Sequence, residues 1–205
     1  MDSRFSRRTF LAAGTAACVA LAGCSDDSAA ADPDEIDTDD RPALGDESAP
    51  VTVTVFEDFA CPTCRQFKTQ ITPQIITHSV EPGDVRYLHA DFPIPVDDRW
   101  SYAIPSAAYA VFDEAGNDAF WDFAREIYDH QDSYSLDAVE SVADEVADVG
   151  SAARAAADEE AYRDRLDADR DRGEEGGVGG TPTVFVDDEQ VDLDEVGEAI
   201  EERLG

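Results

Sequence analysis

Residues 51–64 read VTVTVFEDFACPTC, a run rich in β-branched side chains that is followed by two cysteines. The Val and Thr side chains of residues 51–56 predict a β-strand, because such side chains pack well on a pleated surface. Beyond the cysteines, apolar residues recur at steps of four from Phe67 to Ile75 and indicate one face of a helix. Pro73 lies inside this pattern, so we expect the helix to kink or break there. The two cysteines are therefore predicted to lie between a strand and the start of a helix.

The spacing of Cys61 and Cys64 is compatible with three kinds of site. A zinc site needs a second pair of ligands, and the folded part of the chain offers only scattered histidines: His78, His89 and His130. A structural disulfide would close so short a loop that it removes little entropy from the unfolded chain. A redox pair needs one cysteine that ionises and attacks and a second that resolves the mixed disulfide. The surrounding pattern favours the redox pair, and we expect no metal.

The predicted helix start gives the two cysteines different environments. Pro62 suits the first helical position, where its missing N–H is not needed, and this places Cys61 at the helix N-terminus. Free backbone N–H groups and the positive end of the helix dipole favour a thiolate at that position. Cys64 lies one turn further in and is expected to be better shielded. We therefore expect an exposed, ionised Cys61 as the nucleophile and Cys64 as the resolving cysteine.

The rest of the chain alternates between predicted strands and helices. Residues 85–89 indicate a second strand, in which we expect His89 to have a solvated or hydrogen-bonded ring rather than a catalytic role. A helical pattern extends from about Trp100 to Arg172. A glycine-rich loop then leads to a predicted strand at residues 184–186, and a closing helix is predicted at residues 193–204.

From Leu44 to its C-terminus the chain resembles the DsbA-like branch of the thioredoxin superfamily. The features that carry the resemblance are the segment GDESAP at residues 45–50, FACPTC at 59–64, the pair Phe120 and Trp121, and the loop VGGTPT at 178–183. A Cys-Pro-Xaa-Cys motif between strand and helix, followed much later by Gly-Thr-Pro-Thr and a strand, is a specific combination. The resemblance implies an α/β thioredoxin-like fold, in which a central mixed sheet is flanked by helices and a helical region is inserted at about residues 99–172.

The resemblance also implies roles for the residues around the cysteine pair. The Thr181–Pro182 bond is expected to be cis and to lie beside the two sulfur atoms. A cis bond at this place is physically reasonable, because cis peptide bonds are almost confined to proline. An exported client protein would lie extended along Thr181 and would also contact Pro62 and Thr63.

One position departs from the family pattern. Many DsbA-like relatives carry a buried carboxylate six residues before the first cysteine, and it is thought to move protons for the second cysteine. This chain has Val55 there. Glu57 and Asp58 lie nearby, and a proton relay through either is a hypothesis. The alternative is that both carboxylates are exposed, as acidic residues in so acidic a chain often are.

The charge of the chain is extreme, with 48 acidic and 15 basic residues and a formal net charge of −33. Repulsion at this density weakens in high salt, because the Debye length falls to about 3 Å at 1 M. The acids run through the whole chain, so we interpret the composition as adaptation to high salt rather than as an acidic tail or a cation-binding site. With no basic patch to neutralise phosphates, we expect no nucleic-acid partner.

Residues 1–24 are predicted to be an export signal. A basic start precedes an apolar stretch at residues 9–23, which is the layout of a secretory signal. SRRTFL at residues 6–11 resembles the twin-arginine motif, and LAGC, ending at Cys24, resembles a lipobox whose cysteine receives a lipid. An uncleaved hydrophobic anchor is the alternative. Residues 25–43 are interpreted as an acidic flexible tether, which leaves residues 44–205 for the domain.

Together these patterns predict an exported thiol–disulfide oxidoreductase that is anchored on the outer face of the cell membrane. Its partners would be the thiols and disulfides of exported proteins and a membrane or soluble redox partner, with no cofactor. Oxidation of clients is favoured, although Pro62 and Thr63 supply no histidine charge that would lower the pKa of Cys61. The alternatives are a reductase or isomerase, for example in cytochrome maturation, a peroxidase, and a non-catalytic binding module or holdase.

Overall fold

The computed structural model describes residues 41–94 and 96–205. The predicted signal, the lipid-attachment residue Cys24 and the tether up to residue 40 therefore lie outside the described residues. Within the described ranges, no helix combines the length and the apolar character that crossing a membrane requires.

One five-stranded sheet forms the centre of the described region. Its strands in chain order are β1 Ala43–Leu44, β2 Val51–Glu57, β3 Val85–Asp91, β4 Thr183–Val186 and β5 Glu189–Val191. Their order across the sheet is β1-β3-β2-β4-β5. β2 and β3 are parallel and the other neighbours are antiparallel, so the sheet is mixed, as predicted. The parallel pair needs a crossover connection, and the helix after the cysteines supplies it.

Helices form both the crossover between β2 and β3 and the predicted insertion. They are α1 Pro62–Gln70, α2 Thr72–Ile75, α3 Trp100–Ala115, α4 Asn117–Ile127, α5 Leu136–Ala147, α6 Gly150–Glu159, α7 Arg163–Glu175 and α8 Val196–Leu204, with a π-helical turn at Ile76–Val80 and a 3₁₀ turn at Tyr128–Ser133. α3 to α7 stand between β3 and β4. This confirms a thioredoxin-like fold with a helical insertion.

The helix after the cysteines breaks where the sequence predicts. α1 ends at Gln70 and α2 begins at Thr72. Pro73 explains the break, because proline has no N–H for the bond to the carbonyl four residues earlier and disfavours helical geometry in the residue before it. The Ile71 N–H still donates to Phe67 O at 2.9 Å, so the last turn of α1 stays hydrogen-bonded up to the break.

The insertion packs onto the sheet through buried aromatic side chains. Phe120 and Trp121 of α4 lie with ring centroids 5.4 and 6.3 Å from the ring of His89 on β3. The Trp121 indole N–H also donates to Ala43 O at 3.2 Å. These contacts fix the insertion against one face of β3, close to the end of β2 where the cysteines follow.

The folded region begins earlier than the sequence analysis expected. Arg41 is only 6% exposed, and its guanidinium binds both carboxylate oxygens of Asp169 at 2.6 and 2.7 Å. Pro42 O accepts a hydrogen bond from the His89 N–H, and Ala43 belongs to β1. The prediction that the flexible tether extends to residue 43 is therefore wrong for residues 41–43. A buried arginine needs a partner, and nothing local in the sequence identifies one 128 residues away.

Candidate active site

Cys61 lies at the junction between β2 and α1. Its backbone is extended (φ −78°, ψ 121°), Pro62 takes the first helical position, and Cys61 O accepts from the Arg65 N–H. No side chain among the described residues caps this helix end through a hydrogen bond. The N–H groups of Thr63 and Cys64 therefore interact with the Cys61 sulfur, as expected for an anion site at a helix N-terminus.

The pKa of Cys61 is strongly lowered. A hydrogen bond from the Cys64 thiol is the largest cause. Burial opposes it, and the Thr181 side chain and the N–H groups of Cys64 and Thr63 add to it, so that the pKa falls to about 5. The Thr181 hydroxyl is buried without a hydrogen-bond partner among the described residues, so its proton is available to a thiolate. At neutral pH the reduced Cys61 is ionised.

Cys61 is more covered than the sequence analysis expected. The residue is 5% exposed rather than open to solvent. The loop before β4 shields Cys61 from solvent, because Thr181 O of this loop lies 3.4 Å from Cys61 Sγ and accepts a hydrogen bond from the thiol. The neighbouring surface is open, since Pro62 and Thr63 are exposed and Thr181 and Pro182 are half-buried. A client chain could therefore approach the sulfur over these four residues.

Cys64 has the opposite character. It is fully buried, and its sulfur accepts a weak hydrogen bond from the Asp58 N–H at 3.5 Å. Burial raises its pKa far above the usual range, and the hydrogen bond to Cys61 and the charge of Glu57 raise it further. Both cysteines are free thiols in this structure. The predicted difference between an acidic first thiol and a shielded second thiol is therefore present.

The structure brings together the two distant motifs. The Thr181–Pro182 bond is cis, as the resemblance implied, and Thr181 O contacts Cys61 from 120 residues away. The Thr183 hydroxyl donates to Gly180 O at 2.8 Å and closes the loop on itself.

Glu57 and Asp58 are both buried, so the alternative in which the two carboxylates are exposed does not occur. Asp58 accepts from the Ala60 N–H at 2.7 Å and from the Ile94 N–H at 2.8 Å, one with each carboxylate oxygen. Burial nevertheless raises its pKa to about 6. Because backbone donors occupy both oxygens, Asp58 mainly holds the loop after β2 against the loop after β3.

Glu57 belongs to a group of buried charges that sequence reasoning missed. Its Oε2 lies 2.7 Å from Lys68 Nζ and 3.0 Å from His89 Nδ1, and His89 Nε2 lies 3.1 Å from Asp91 Oδ1. We call Glu57, Lys68, His89 and Asp91 the charged cluster. The ring of His89 is hydrogen-bonded and fully buried, so of the two states expected for it the solvated one does not occur. The one hint in the sequence was Lys68, the only lysine of the chain.

The insertion also fixes the loop that carries Cys61. Gln131 Nε2 donates to Phe59 O at 2.7 Å and to Cys61 O at 3.0 Å, and the Tyr134 hydroxyl donates to Phe59 O at 2.9 Å. Sequence reasoning missed both residues, because they lie about 70 positions away in a polar stretch.

Among the described residues no three His, Cys, Asp or Glu side chains are grouped as metal ligands would be.

Comparisons with known proteins agree with this geometry. A family model described as thioredoxin matches residues 37–202. Disulfide bond formation protein D of Bacillus subtilis is 27% identical over 179 residues, which cover 80% of this chain and 77% of that protein. The crystal structure of oxidised BdbD from Bacillus subtilis has a TM-score of 0.74 at 27% identity and covers 80% of this chain and 93% of that one.

A more distant structure shares the fold. DsbA from Chlamydia trachomatis has a TM-score of 0.70 at 20% identity, over 79% of this chain and 89% of its own. The family match spans most of the chain and includes the cysteine pair, the cis-proline loop and the insertion. This chain therefore belongs to the thioredoxin family, among its DsbA-like thiol–disulfide oxidoreductases.

Proposed function

We propose that this chain exchanges disulfides with exported proteins and acts mainly as an oxidant, with Cys61 as the nucleophile and Cys64 as the resolving cysteine. The observation that carries this proposal is the environment of Cys61. Thr181 O covers its sulfur at a distance of 3.4 Å, while the helix N-terminus and the hydrogen bond from the Cys64 thiol favour a negative charge on it. This environment stabilises a thiolate that is covered by one loop and reachable over its open neighbours.

In the oxidising direction, a client thiolate attacks Cys61 Sγ of the Cys61–Cys64 disulfide. The sulfur–sulfur bond breaks, Cys64 leaves as a thiolate and takes up one proton, and the client is held on Cys61. A second client thiolate then attacks the client sulfur of this mixed disulfide and displaces Cys61 as a thiolate. The client loses two electrons and the cysteine pair gains them.

The low pKa of Cys61 favours this direction. An ionised leaving group stabilises the reduced pair and so makes the disulfide a stronger oxidant. With a pKa of about 5 against 9.0 for an ordinary thiol, the reduced form gains about 100-fold at pH 7, or about 60 mV. The missing histidine between the cysteines is thus offset by the Cys64 thiol, Thr181 and the helix N–H groups. The relative from Bacillus subtilis, named for disulfide bond formation, supports the same direction.

We propose that Thr181, Pro182, Pro62 and Thr63 form the surface on which the client lies. Thr181 can pair with an extended chain through its backbone, and the exposed Pro62 and Thr63 flank the sulfur. A client seated there would bring its cysteine to Cys61 with little movement of the protein.

Two cysteine variants and one equilibrium measurement test the proposal. The Cys64→Ser variant should accumulate mixed disulfides with client proteins on Cys61, and the matched Cys61→Ser variant should form none. The potential of the wild-type pair should be more oxidising than about −200 mV, well above the value of about −270 mV for thioredoxin. A potential near that of thioredoxin would instead indicate a reductase, and exchange by Cys61→Ser would contradict the assigned nucleophile.

The location and the working conditions are also proposals. The signal-like residues 1–24 support export, lipid attachment at Cys24 and anchoring to the outer face of the membrane, and the net charge of −33 supports work in high salt. Mass spectrometry of the native protein should find a lipid-modified Cys24 at the N-terminus. An intact Met1 would contradict the anchor, and full stability in dilute buffer would contradict the salt adaptation.

A further inference from the structure

A cleft of about 330 Å³ lies beside the nucleophile, along one face of α1. Its first wall consists of residues that are three and four positions apart on the helix and therefore share a face. They are Pro62, Arg65, Gln66, Thr69 and Gln70. This face extends about 12 Å along the helix at the usual helical rise. Because Pro62 also belongs to the proposed client surface, this α1 cleft continues that surface away from Cys61.

The second wall of the α1 cleft comes from the 3₁₀ turn after α4, through Gln131 and Asp132. Gln131 is fixed in place, because its amide nitrogen donates to Phe59 O at 2.7 Å and to Cys61 O at 3.0 Å. One side chain thus bounds the cleft and holds the loop that carries the nucleophile. The α1 cleft is therefore held in a defined position relative to the Cys61 sulfur.

Among the described residues that line the α1 cleft, Arg65 is the only base. Its Nη1 lies 3.1 Å from Asp132 Oδ2, and the two side chains are 33% and 88% exposed. Exposed ion pairs of this kind are weak, so Asp132 is easily displaced from the guanidinium. Lys68, the other base of α1, is held in the charged cluster by Glu57. The position of Asp132 thus marks where a carboxylate from another chain can bind.

The spacing of the site selects one position on a client. Arg65 follows Cys61 by four residues, which is about 6 Å along the helix. An extended chain advances about 6.6 Å in two residues, and side chains two residues apart point to the same side. A client whose cysteine faces Cys61 therefore turns the side chain two residues away toward Arg65. The side chain three residues away points to the opposite side.

We propose that the α1 cleft binds an acidic side chain, Asp or Glu, two residues from the reacting cysteine of the client, and that Arg65 selects it. The client carboxylate replaces Asp132 on the guanidinium while the client sulfur is joined to Cys61. The exposed amides of Gln66 and Gln70 can donate to the same carboxylate. This inference rests on the proposed function, because it names the class of client that the exchange site accepts.

The charge of the whole chain makes such a contact useful. A net charge of −33 repels acidic clients at long range in dilute buffer, so a base beside the nucleophile offsets that repulsion where the client must bind. At about 1 M salt the Debye length of about 3 Å removes the long-range repulsion. A contact at 3.1 Å, such as that of Arg65 with Asp132, is screened much less. Selection by Arg65 should therefore persist in high salt.

The test measures how fast the reduced full-length protein attacks matched peptides in about 1 M salt. Each peptide has one cysteine, activated as a disulfide with thionitrobenzoate, and carries Glu, Gln or Lys at both positions two residues from it. The Cys61 thiolate attacks the peptide sulfur, the activated disulfide breaks, and the absorbance of the released thionitrobenzoate gives the rate. The Glu peptide should react about 2–5-fold faster than the Gln peptide, and the Lys peptide should be the slowest.

Four variants connect this preference with the α1 cleft. Arg65→Gln should bring the ratio of the Glu rate to the Gln rate to about one, and Arg65→Lys should keep part of it. Asp132→Asn removes the competing carboxylate and should raise the ratio. The matched control Arg125→Gln removes the same charge from an exposed, ion-paired arginine of α4 and should keep the wild-type ratio. Each ratio compares two peptides on one protein, so a change in the pKa of Cys61 cancels.

Three results would refute the proposal. The first is a Glu peptide that reacts no faster than the Gln peptide with the wild-type protein. The second is an equal preference when the acid is moved to the positions three residues from the cysteine, and the third is an unchanged ratio in Arg65→Gln. The proposed function is judged separately by Cys61→Ser, which should react with none of the peptides above the background of its other cysteines, whether or not the α1 cleft selects acids.

Discussion

Replacing Cys64 by alanine should raise the pKa of Cys61, whereas replacing it by serine should not. The Cys64 thiol is the largest cause of the low pKa of Cys61, and alanine removes this donor while serine keeps a hydroxyl in its place. A hydrogen bond to a charged group contributes about 1.5–3 kcal/mol, which corresponds to about 1–2 pKa units. The pKa of Cys61 should therefore move from about 5 to about 6–7 in Cys64→Ala.

The same change alters stability over a defined pH range. The pKa of Cys61 in the folded protein lies below the value of 9.0 for an ordinary thiol. Ionisation therefore stabilises the folded reduced protein above pH 5, increasingly so up to pH 9, and this contribution is lost as the pH falls through 5. In Cys64→Ala the lower limit of the range moves up to about 6–7. The two variants should differ in pH dependence above pH 5 and agree below it.

Alkylation by iodoacetamide followed by peptide mass spectrometry measures this pKa at Cys61 alone. The rate at each pH reports the thiolate fraction of Cys61, and cysteines elsewhere in the chain are read on other peptides. Midpoints near 5 for Cys64→Ser and near 6–7 for Cys64→Ala are expected. Equal midpoints would show that the Cys64 thiol is not the main cause, and a Cys64→Ser midpoint near 9 would refute the assigned environment of Cys61.

Two further predictions concern packing around the site. Gly173→Ala should lower the melting temperature, because a Cβ atom there would lie 2.7 Å from Phe92 Cδ2. The control Gly179→Ala should change the melting temperature little, because its Cβ atom would meet open space. Equal melting temperatures for the two variants would contradict this packing. Asp169→Ala should lower the free energy of unfolding in urea by about 3–5 kcal/mol, because it leaves Arg41 charged and buried. A loss below 1 kcal/mol would show that residue 41 is not part of the folded domain.

The strand, the motif and the helix could be predicted from sequence because each depends on neighbouring residues. β-Branched residues mark β2, Pro62 marks the start of α1, and Pro73 marks its break. The cis bond at Pro182 is a different case, because a proline before a strand is ordinarily trans. Its geometry followed from the family resemblance, which supplied contact information that the local pattern does not contain.

The cover over Cys61 and the burial of Glu57 could not be predicted, because each depends on elements far apart in the chain. A helix N-terminus indicates an acidic sulfur but says nothing of a loop 120 residues away that lies over it. Likewise, Arg41 resembles any tether residue until the position of Asp169 is known. Contacts of this kind arise from the tertiary arrangement, which local propensity does not determine.

Because this chain is so acidic, its sequence does not show which acidic residues are buried. The rare charged residue type is the better indicator of a buried site. With 48 acidic residues, one more Glu or Asp near the cysteines carries no information about burial, so Glu57 looks like any solvated surface acid. The basic residues are arginine except for Lys68, and Lys68 is in the core, where it binds Glu57. An ammonium is a compact point charge, whereas a guanidinium is a broad planar fork, so the interior between Tyr87 and Trp121 suits lysine. In a chain with so one-sided a charge, the charged residue type that departs from the composition is the better guide to a buried site.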